Sequence, residues 1–209
     1  EETFAKTVAE LDWHAEVLDI MGCDQDGILV VHGGGVYGDK PATIARWAQN
    51  FRRLPERVRR RLVLENCEKC YSVADCLEIS RQTDVPVVFD LHHHACYRQL
   101  HPAEKLEDPE AYLPEVIETW RRRGIRPKFH ISEQRCGGVV GQHSDYIREI
   151  PACLLNAGCP IDIAVEAKMK ECAIFRLYDR HPQIAPPQYV PKQKRRLVIV
   201  KKKGLKYDG

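Results

Sequence analysis

Five short apolar runs recur along the chain, spaced so that a helix fits between each pair, and this rhythm limits the fold more than any other feature. The runs are 28-ILVVH-32, 61-RLVLE-65, 86-PVVFD-90, 127-PKFHIS-132 and 160-PIDIAVE-166. Each is rich in β-branched or aromatic residues and almost continuously apolar, the character of a parallel strand covered on both faces. Helical patterns occupy the gaps at 43–51 with 57–61, 72–82, 113–122 and 146–156. The repeated unit is βα, and the predicted fold class is α/β, of the (β/α)8 TIM-barrel type.

A complete barrel of this type has eight strands in ~250 residues, so this chain is expected to hold about five of the eight units, in one domain over 1–181. A helix is predicted over 1–21, with Phe4, Val8, Leu11, Val17, Leu18 and Ile20 as its apolar side. It leads straight into the first run, which places the remaining strands upstream of residue 1. Residues 182–209 turn Pro-rich and then basic and are expected as an extended tail with a short strand at 197-LVIV-200.

The polar residues that close the runs are His32, Glu65, Asp90, His130 and Glu166. In a parallel α/β barrel the C-terminal strand ends converge on one mouth. One polar strand end is ordinarily a solvated terminus, but five in succession, all of metal-ligating type, point to a metal site. His, Asp and Glu without paired cysteines favour Mn²⁺, Zn²⁺ or Fe²⁺ over a thiolate-rich structural site. Glu65 and Asp90, on neighbouring strands, suit the bridging of ions ~3.5–4 Å apart. His93, three residues after Asp90, and His143 in 141-GQHSDY-146 are further candidates. His92 and His94 read as supporting or surface residues, His14 as part of a helix face, and His101 and His181 as loop residues without an evident partner.

Charge and cysteine usage narrow the function classes. Lys and Arg total 32 against 30 acidic residues, a net +2, which excludes a strongly basic DNA-coating protein but permits a local basic groove. No apolar run reaches the ~18 residues of a membrane span, and the acidic first residues do not read as a secretory signal. Nine scattered cysteines fit reduced thiols inside a cell better than a disulfide scaffold. Cys67 and Cys70 form a lone C-x-x-C with no second pair at zinc-finger spacing.

For phosphate contact the candidates near strand ends are Arg52, Arg53, Arg135, Lys168 and Lys170, whereas 57–61 and 121–123 read as solvated helix faces. Gly33–Gly35 lack the Lys-Ser/Thr ending of a P-loop; a glycine turn that admits a DNA backbone fits better. Tyr37 is a candidate either to stack on a sugar or base or to fill a core or rim position. The basic run 193–203 offers further phosphate contacts or a nuclear address.

These segments also occur in a recognisable order. The motifs 14-HAEVLDIMG-22, 31-VHGGGVYGDK-40, 63-VLENCE-68, 87-VVFDLHHH-94, 127-PKFHISE-133, 141-GQHSDY-146 and 162-DIAVEAKMKE-171 run through about residues 10–175. Together they resemble the UV damage endonuclease family, metal-dependent TIM-barrel DNA repair nucleases related to endonuclease IV. The resemblance implies hydrolysis of a phosphodiester 5′ to ultraviolet photoproducts, with abasic sites as further substrates, by hydroxide activated by several metals. Up to three divalent ions are implied, Mn²⁺ foremost, with Zn²⁺ or Mg²⁺ as alternatives.

The resemblance also assigns roles. His32 and Glu65 would hold one ion together with a further family histidine expected upstream of residue 1, Glu65 would bridge to a second held with Asp90, His130 and Glu166, and His93 and His143 would bind a third. Glu65, Asp90, Glu166 and Lys128 would carry catalysis, with Lys128 carboxylated to a carbamate ligand. Endonuclease IV has an Asp where this chain has Gly141, and the carbamate would supply that anionic oxygen. From the residues themselves, Gly33, Gly34, Tyr37, Arg135 and Lys168 are the candidates to meet damaged double-stranded DNA. The expected location is intracellular: cytoplasmic in a prokaryote, nuclear or mitochondrial in a eukaryote. A further barrel segment, a partner or a second copy is expected over the open edge. The rival readings are a divalent-metal sugar isomerase or epimerase on the same fold and a non-catalytic DNA-binding remnant of the nuclease.

Overall fold

The computed structural model describes residues 1–191. Strands β1 (Leu29–His32), β2 (Leu62–Glu65), β3 (Val87–Asp90), β4 (Lys128–Ile131) and β5 (Asp162–Val165) form one sheet in chain order, each neighbouring pair parallel. Parallel strands in sequence order with helical crossovers make an arc of a (β/α)8 barrel, so the expected fold class holds. Each strand is four residues long, shorter than the apolar run that announced it. Pro86, Pro127 and Pro160 stand just ahead of β3, β4 and β5, where a missing N–H ends a ladder.

The helices are α1 (Glu2–Ile20), α2 (Lys40–Arg52), α3 (Glu56–Arg59), α4 (Val73–Thr83), α5 (Leu91–Leu100), α6 (Pro109–Arg123), α7 (Ala152–Leu155) and α8 (Lys170–Arg180). Their ends follow local chemistry. Asp39 accepts the Ala42 N–H at 3.0 Å to start α2, and Ser72 with Asp75 makes a capping box for α4. Gly124, left-handed at φ +75°, closes α6.

β2 and β3 are buried on both faces. Leu62, Leu64, Val87, Phe89, Phe129 and Ile131 join Val73, Leu77, Val116 and Trp120 in one core. The Trp120 indole, fully buried, donates to the Val87 carbonyl at 2.7 Å. In β4 the alternation is clean: Phe129 and Ile131 are buried, Lys128 and His130 only partly. With a period of two, Lys128 and His130 share the barrel-interior face. That face is accessible from β1 as well, where Val30 and His32 are exposed.

Four expectations change. The helix expected over 146–156 is only α7, because a helix through Pro151 would need the N–H that proline lacks. Helices α5 and α8 appear where none was anticipated. The apolar side of α1 ends early: Phe4, Val8 and Leu11 pack on the core and Ala15 is buried, but Ile20 is 79% exposed. Among the arginines expected to be solvated, Arg61 is buried and bonds Asp19 together with the carbonyls of Cys23, Asp24 and Gly27. Arg123 likewise donates to the carbonyls of Arg59, Arg60 and Leu62. The strand expected at 197–200 and the basic run 193–203 lie outside the described residues.

Candidate metal centre

The sheet register assembles the site. His32 stands beside Glu65 across β1 and β2, and Asp90 beside His130 across β3 and β4. Glu166, one residue past β5, is fixed by its N–H on the Ile131 carbonyl at 2.9 Å. Ligand atoms of His32, Glu65 and His93 lie within 4.8 Å of one another, and those of Glu65, Asp90 and His130 do the same. Glu65 belongs to both groups.

Contacts between these side chains are close. His130 Nδ1 is 2.9 Å from Glu65 Oε1 and 3.2 Å from Glu166 Oε1. His32 Nε2 is 3.2 Å from Glu65 Oε2, and His143 Nδ1 is 3.6 Å from Glu166 Oε2. His143 returns to the site because the chain beyond β4 folds back on itself: Arg135 N–H donates to the Gln142 carbonyl at 2.7 Å, and Gln134 bridges His143.

Asp90 divides its two oxygens between structure and site. Oδ1 accepts the His93 N–H at 2.7 Å and so caps α5. Oδ2 is buried without a hydrogen-bond partner, and burial pushes the carboxyl up to about 6. A buried carboxylate oxygen with no donor is costly unless a cation faces it, and histidine nitrogens with carboxylate oxygens are a donor set for a divalent ion. The residues present therefore fit a divalent cation.

Titration points the same way. Burial opposes charge on His130, but Glu166 and Glu65 outweigh it and push the ring up to about 10. Burial also works against the Glu65 carboxylate, yet His130 and His32 pull it down to about 2. The hydrogen bond to Glu65 raises His32, and the bond to His130 lowers Glu166. Burial lowers His92 and His143, which favours their neutral, ligating form. His130, Glu65 and Glu166, drawn together at 2.9 and 3.2 Å, are residues that would hold a cation in place of a proton.

The structure thus brings together His32, Glu65, Asp90, His93, His130, His143 and Glu166. His93, expected to share an ion with His143, also reaches Glu65 at 3.6 Å, and its ring centroid is 6.1 Å from that of His143. Lys128 stands apart, at the start of β4, its ammonium bridging Asp26 at 3.0 Å and Asp162 at 2.8 Å. Gly33 has a packing reason to be glycine, since a Cβ there would stand 2.6 Å from the Tyr71 ring. Gly34 is left-handed at φ +85° with open space around it. Tyr37 is 85% exposed beneath the Arg46 guanidinium. Arg135 and Lys168 are exposed, and the Lys168 N–H is tied to the Ser144 carbonyl. Lys170 is exposed at the head of α8. Arg52 and Arg53 are at the C-terminus of α2, the end remote from the strand mouth, where Arg53 pairs with Glu1.

Two neighbours, Asn66 and Glu68, escaped the sequence reading, and His92, left there as a supporting or surface residue, is buried beside His143. Asn66, fully buried, bonds Asp90 on both sides and accepts His93 Nδ1 on its carbonyl at 3.0 Å. His92, 6% exposed, has its ring 5.5 Å from that of His143. Glu68 lies against Gly141. His101, expected to lack a partner, stacks on Tyr97 and bonds the Lys69 carbonyl.

Comparison with known proteins gives one answer. The profile of the UV-endonuclease UvdE family matches residues 1–192. The putative UV-damage endonuclease of Acanthamoeba polyphaga mimivirus is 35% identical over 187 residues, covering 87% of this chain and 55% of that protein. The UV DNA damage endonuclease of Bacillus velezensis is 32% identical over 184 residues, covering 86% and 56%. The chain spans about half the length of these curated relatives. The crystal structure of SacUVDE superposes with a TM-score of 0.77 at 34% identity, over 88% of this chain and 60% of that one. Profile, sequence relatives and architecture agree: the chain belongs to the UV-endonuclease UvdE family.

Proposed function

We propose that the chain cleaves a DNA phosphodiester on the 5′ side of ultraviolet photoproducts, with abasic sites as further substrates, using up to three divalent ions, Mn²⁺ foremost and Zn²⁺ or Mg²⁺ as alternatives. The observation that carries the reading is Glu65 at the junction of two ligand groups, His32 with His93 on one side and Asp90 with His130 on the other. Divalent ions held there would activate water and stabilise charge on the phosphate oxygens.

The chain's own residues do the rest. Glu65 draws the two groups together, while Glu166 holds His130 and His143 in place. Asp90 Oδ2, buried without a hydrogen-bond partner, is left open to a cation. Gly34, Tyr37, Arg135 and Lys168 lie on loops beyond the strand ends, where phosphate contacts would fix the register of the duplex. A damaged base unstacks at lower cost than an intact one, which favours lesions at a site that needs the base displaced. Within this reading Lys128 is carboxylated when ions load, exchanging its bridges to Asp26 and Asp162 for a carbamate. A CO₂ adduct in native intact-mass spectra would support it; full activity of Lys128→Arg would count against it.

The outer edges of β1 and β5 carry no further strand among the described residues, which supports a covering barrel segment, partner or second copy. Among the described residues no helix is long and apolar enough to cross a membrane. The substrate puts the protein with DNA, in the cytoplasm of a prokaryote or the nucleus or mitochondrion of a eukaryote. The test is an end-labelled duplex carrying one photoproduct, incubated with Mn²⁺. A single cut immediately 5′ to the lesion, absent from the undamaged duplex, is the expected result. Metal-dependent DNA binding without a cut would select the non-catalytic remnant instead.

A further inference from the structure

One group of candidate ligands draws on three separate βα units: His32 ends β1, Glu65 ends β2, and His93 stands in the first turn of α5, after β3. Strand register sets His32 beside Glu65, while His93 follows the setting of α5. The His93 ring lies edge-on to that of His32, with centroids 5.4 Å apart. The spacing of this group therefore depends on how α5 is held against the segments that leave β1 and β2.

One ammonium joins a helix from each of the three units. Lys40, the first residue of α2, places Nζ 3.0 Å from Asp75 Oδ2 in the first turn of α4 and 2.6 Å from Tyr97 Oη on α5. It also meets Glu104, just beyond α5, at 3.3 Å from each carboxylate oxygen. The Lys40 and Asp75 side chains are only 24% and 16% exposed, so salt screens the pair less than it would a surface pair. Burial works against the charge on Lys40, yet the bonds to Tyr97 and Asp75 hold its pKa above the ordinary lysine value. Burial also pushes the Tyr97 hydroxyl up to about 12, so it keeps its proton and donates it to Glu104 at 3.0 Å while accepting from Lys40.

The partners of Lys40 are themselves fixed. Asp75 Oδ2 also accepts the Ser72 N–H and hydroxyl, each at 2.8 Å, in the capping box of α4. Tyr97 is fully buried and stands four residues after His93, on the same side of α5. His101 stacks on the Tyr97 ring at 4.1 Å and bonds the Lys69 carbonyl, in the loop that follows Glu65, at 2.9 Å. We propose that Lys40 is a positioning residue: it sets the spacing of His32, Glu65 and His93 by clamping together α2, α4 and α5. The clamp acts through Asp75 and Tyr97 rather than through a candidate ligand, and it rests on the metal-centre reading above.

The test is a Mn²⁺ titration of the full chain, with free Mn²⁺ followed by electron paramagnetic resonance and stability by thermal melts. Lys40→Met should weaken one class of Mn²⁺ by ~2–30-fold, the range over which residues that touch no ligand tune a site through packed networks. Tyr97→Phe, which keeps the ring and both charges around it, should weaken the same class to a lesser degree. Val58→Ala truncates the core at the opposite end of β2 from Glu65; it should lower the melting temperature and bind Mn²⁺ as wild type. Wild-type affinity in Lys40→Met and Tyr97→Phe overturns the proposal, as does an equal loss of affinity in Val58→Ala. Where Lys40→Met does not fold, Tyr97→Phe decides alone. If Glu65→Gln weakens Mn²⁺ and the Lys40 and Tyr97 variants do not, only the clamp fails. If Glu65→Gln binds as wild type, the metal-centre reading fails and the clamp with it.

Discussion

The Asn66 side chain clamps Asp90 from both sides: its Nδ2 donates to the Asp90 carbonyl at 3.0 Å, and its Oδ1 accepts the Asp90 N–H at 2.8 Å. These bonds join the C-terminal ends of β2 and β3, the two strands that deliver Glu65 and Asp90. The Asn66 carbonyl also faces His93 Nδ1. One residue thus ties Asp90 and His93 to the end of β2 that carries Glu65. Asn66→Ala should cost roughly 1–3 kcal/mol for each backbone group left unpaired, seen as a lower denaturation midpoint, and should weaken Mn²⁺ binding ~10–100-fold. Unchanged Mn²⁺ affinity in a folded variant would remove Asn66 from the positioning role.

The same cluster sets a pH dependence. His130 is raised from its ordinary 6.5 to about 10, so in metal-free protein its stabilisation is complete below 6.5 and is lost as pH rises through about 10. Glu65 is lowered from 4.5 to about 2, so its contribution is present above 4.5 and is lost as pH falls through about 2. An ion must displace the proton on His130. Mn²⁺ affinity should therefore climb between pH 6 and 9, with roughly one proton released per ion bound at this position. Calorimetry in buffers of different ionisation enthalpy measures that release, and none at pH 8 would contradict the assignment.

Gly33 and Gly34 should behave differently. Gly33→Ala forces a methyl into the Tyr71 ring and should destabilise the fold by ~1–3 kcal/mol, as overpacking does. Gly34→Ala meets no neighbour but strains a left-handed backbone, costing ~1–2 kcal/mol. Thermal melts, read beside DNA-binding titrations, separate the two. A Gly33→Ala protein of wild-type stability that binds DNA poorly would restore the backbone-approach role to Gly33.

The strand ends were legible because each strand lies in a short apolar run, buried on both faces in β2 and β3, against which a terminal His, Asp or Glu stands out. Helix α5 was not, since His92, His93 and His94 mask its apolar positions Leu91, Cys96 and Tyr97. Its cap, Asp90, was read only as a ligand, although one oxygen does each task. Asn66 and Glu68 lay hidden for another reason. What they touch, Asp90 and Gly141, is fixed by strand register and loop return, which local sequence does not encode. Arg61 and Arg123 misled in the opposite direction, since an arginine on a helix pattern reads as solvated until buried carbonyls are found around it.

The central claim is that this constellation cuts DNA at damage. The most direct test incubates ultraviolet-irradiated and untreated supercoiled DNA with the chain and Mn²⁺, with and without chelator, for wild type and Glu65→Gln. The account predicts nicking of the irradiated DNA alone, abolished by chelator and by Glu65→Gln. Equal nicking of both DNAs, or wild-type nicking by Glu65→Gln, would contradict it.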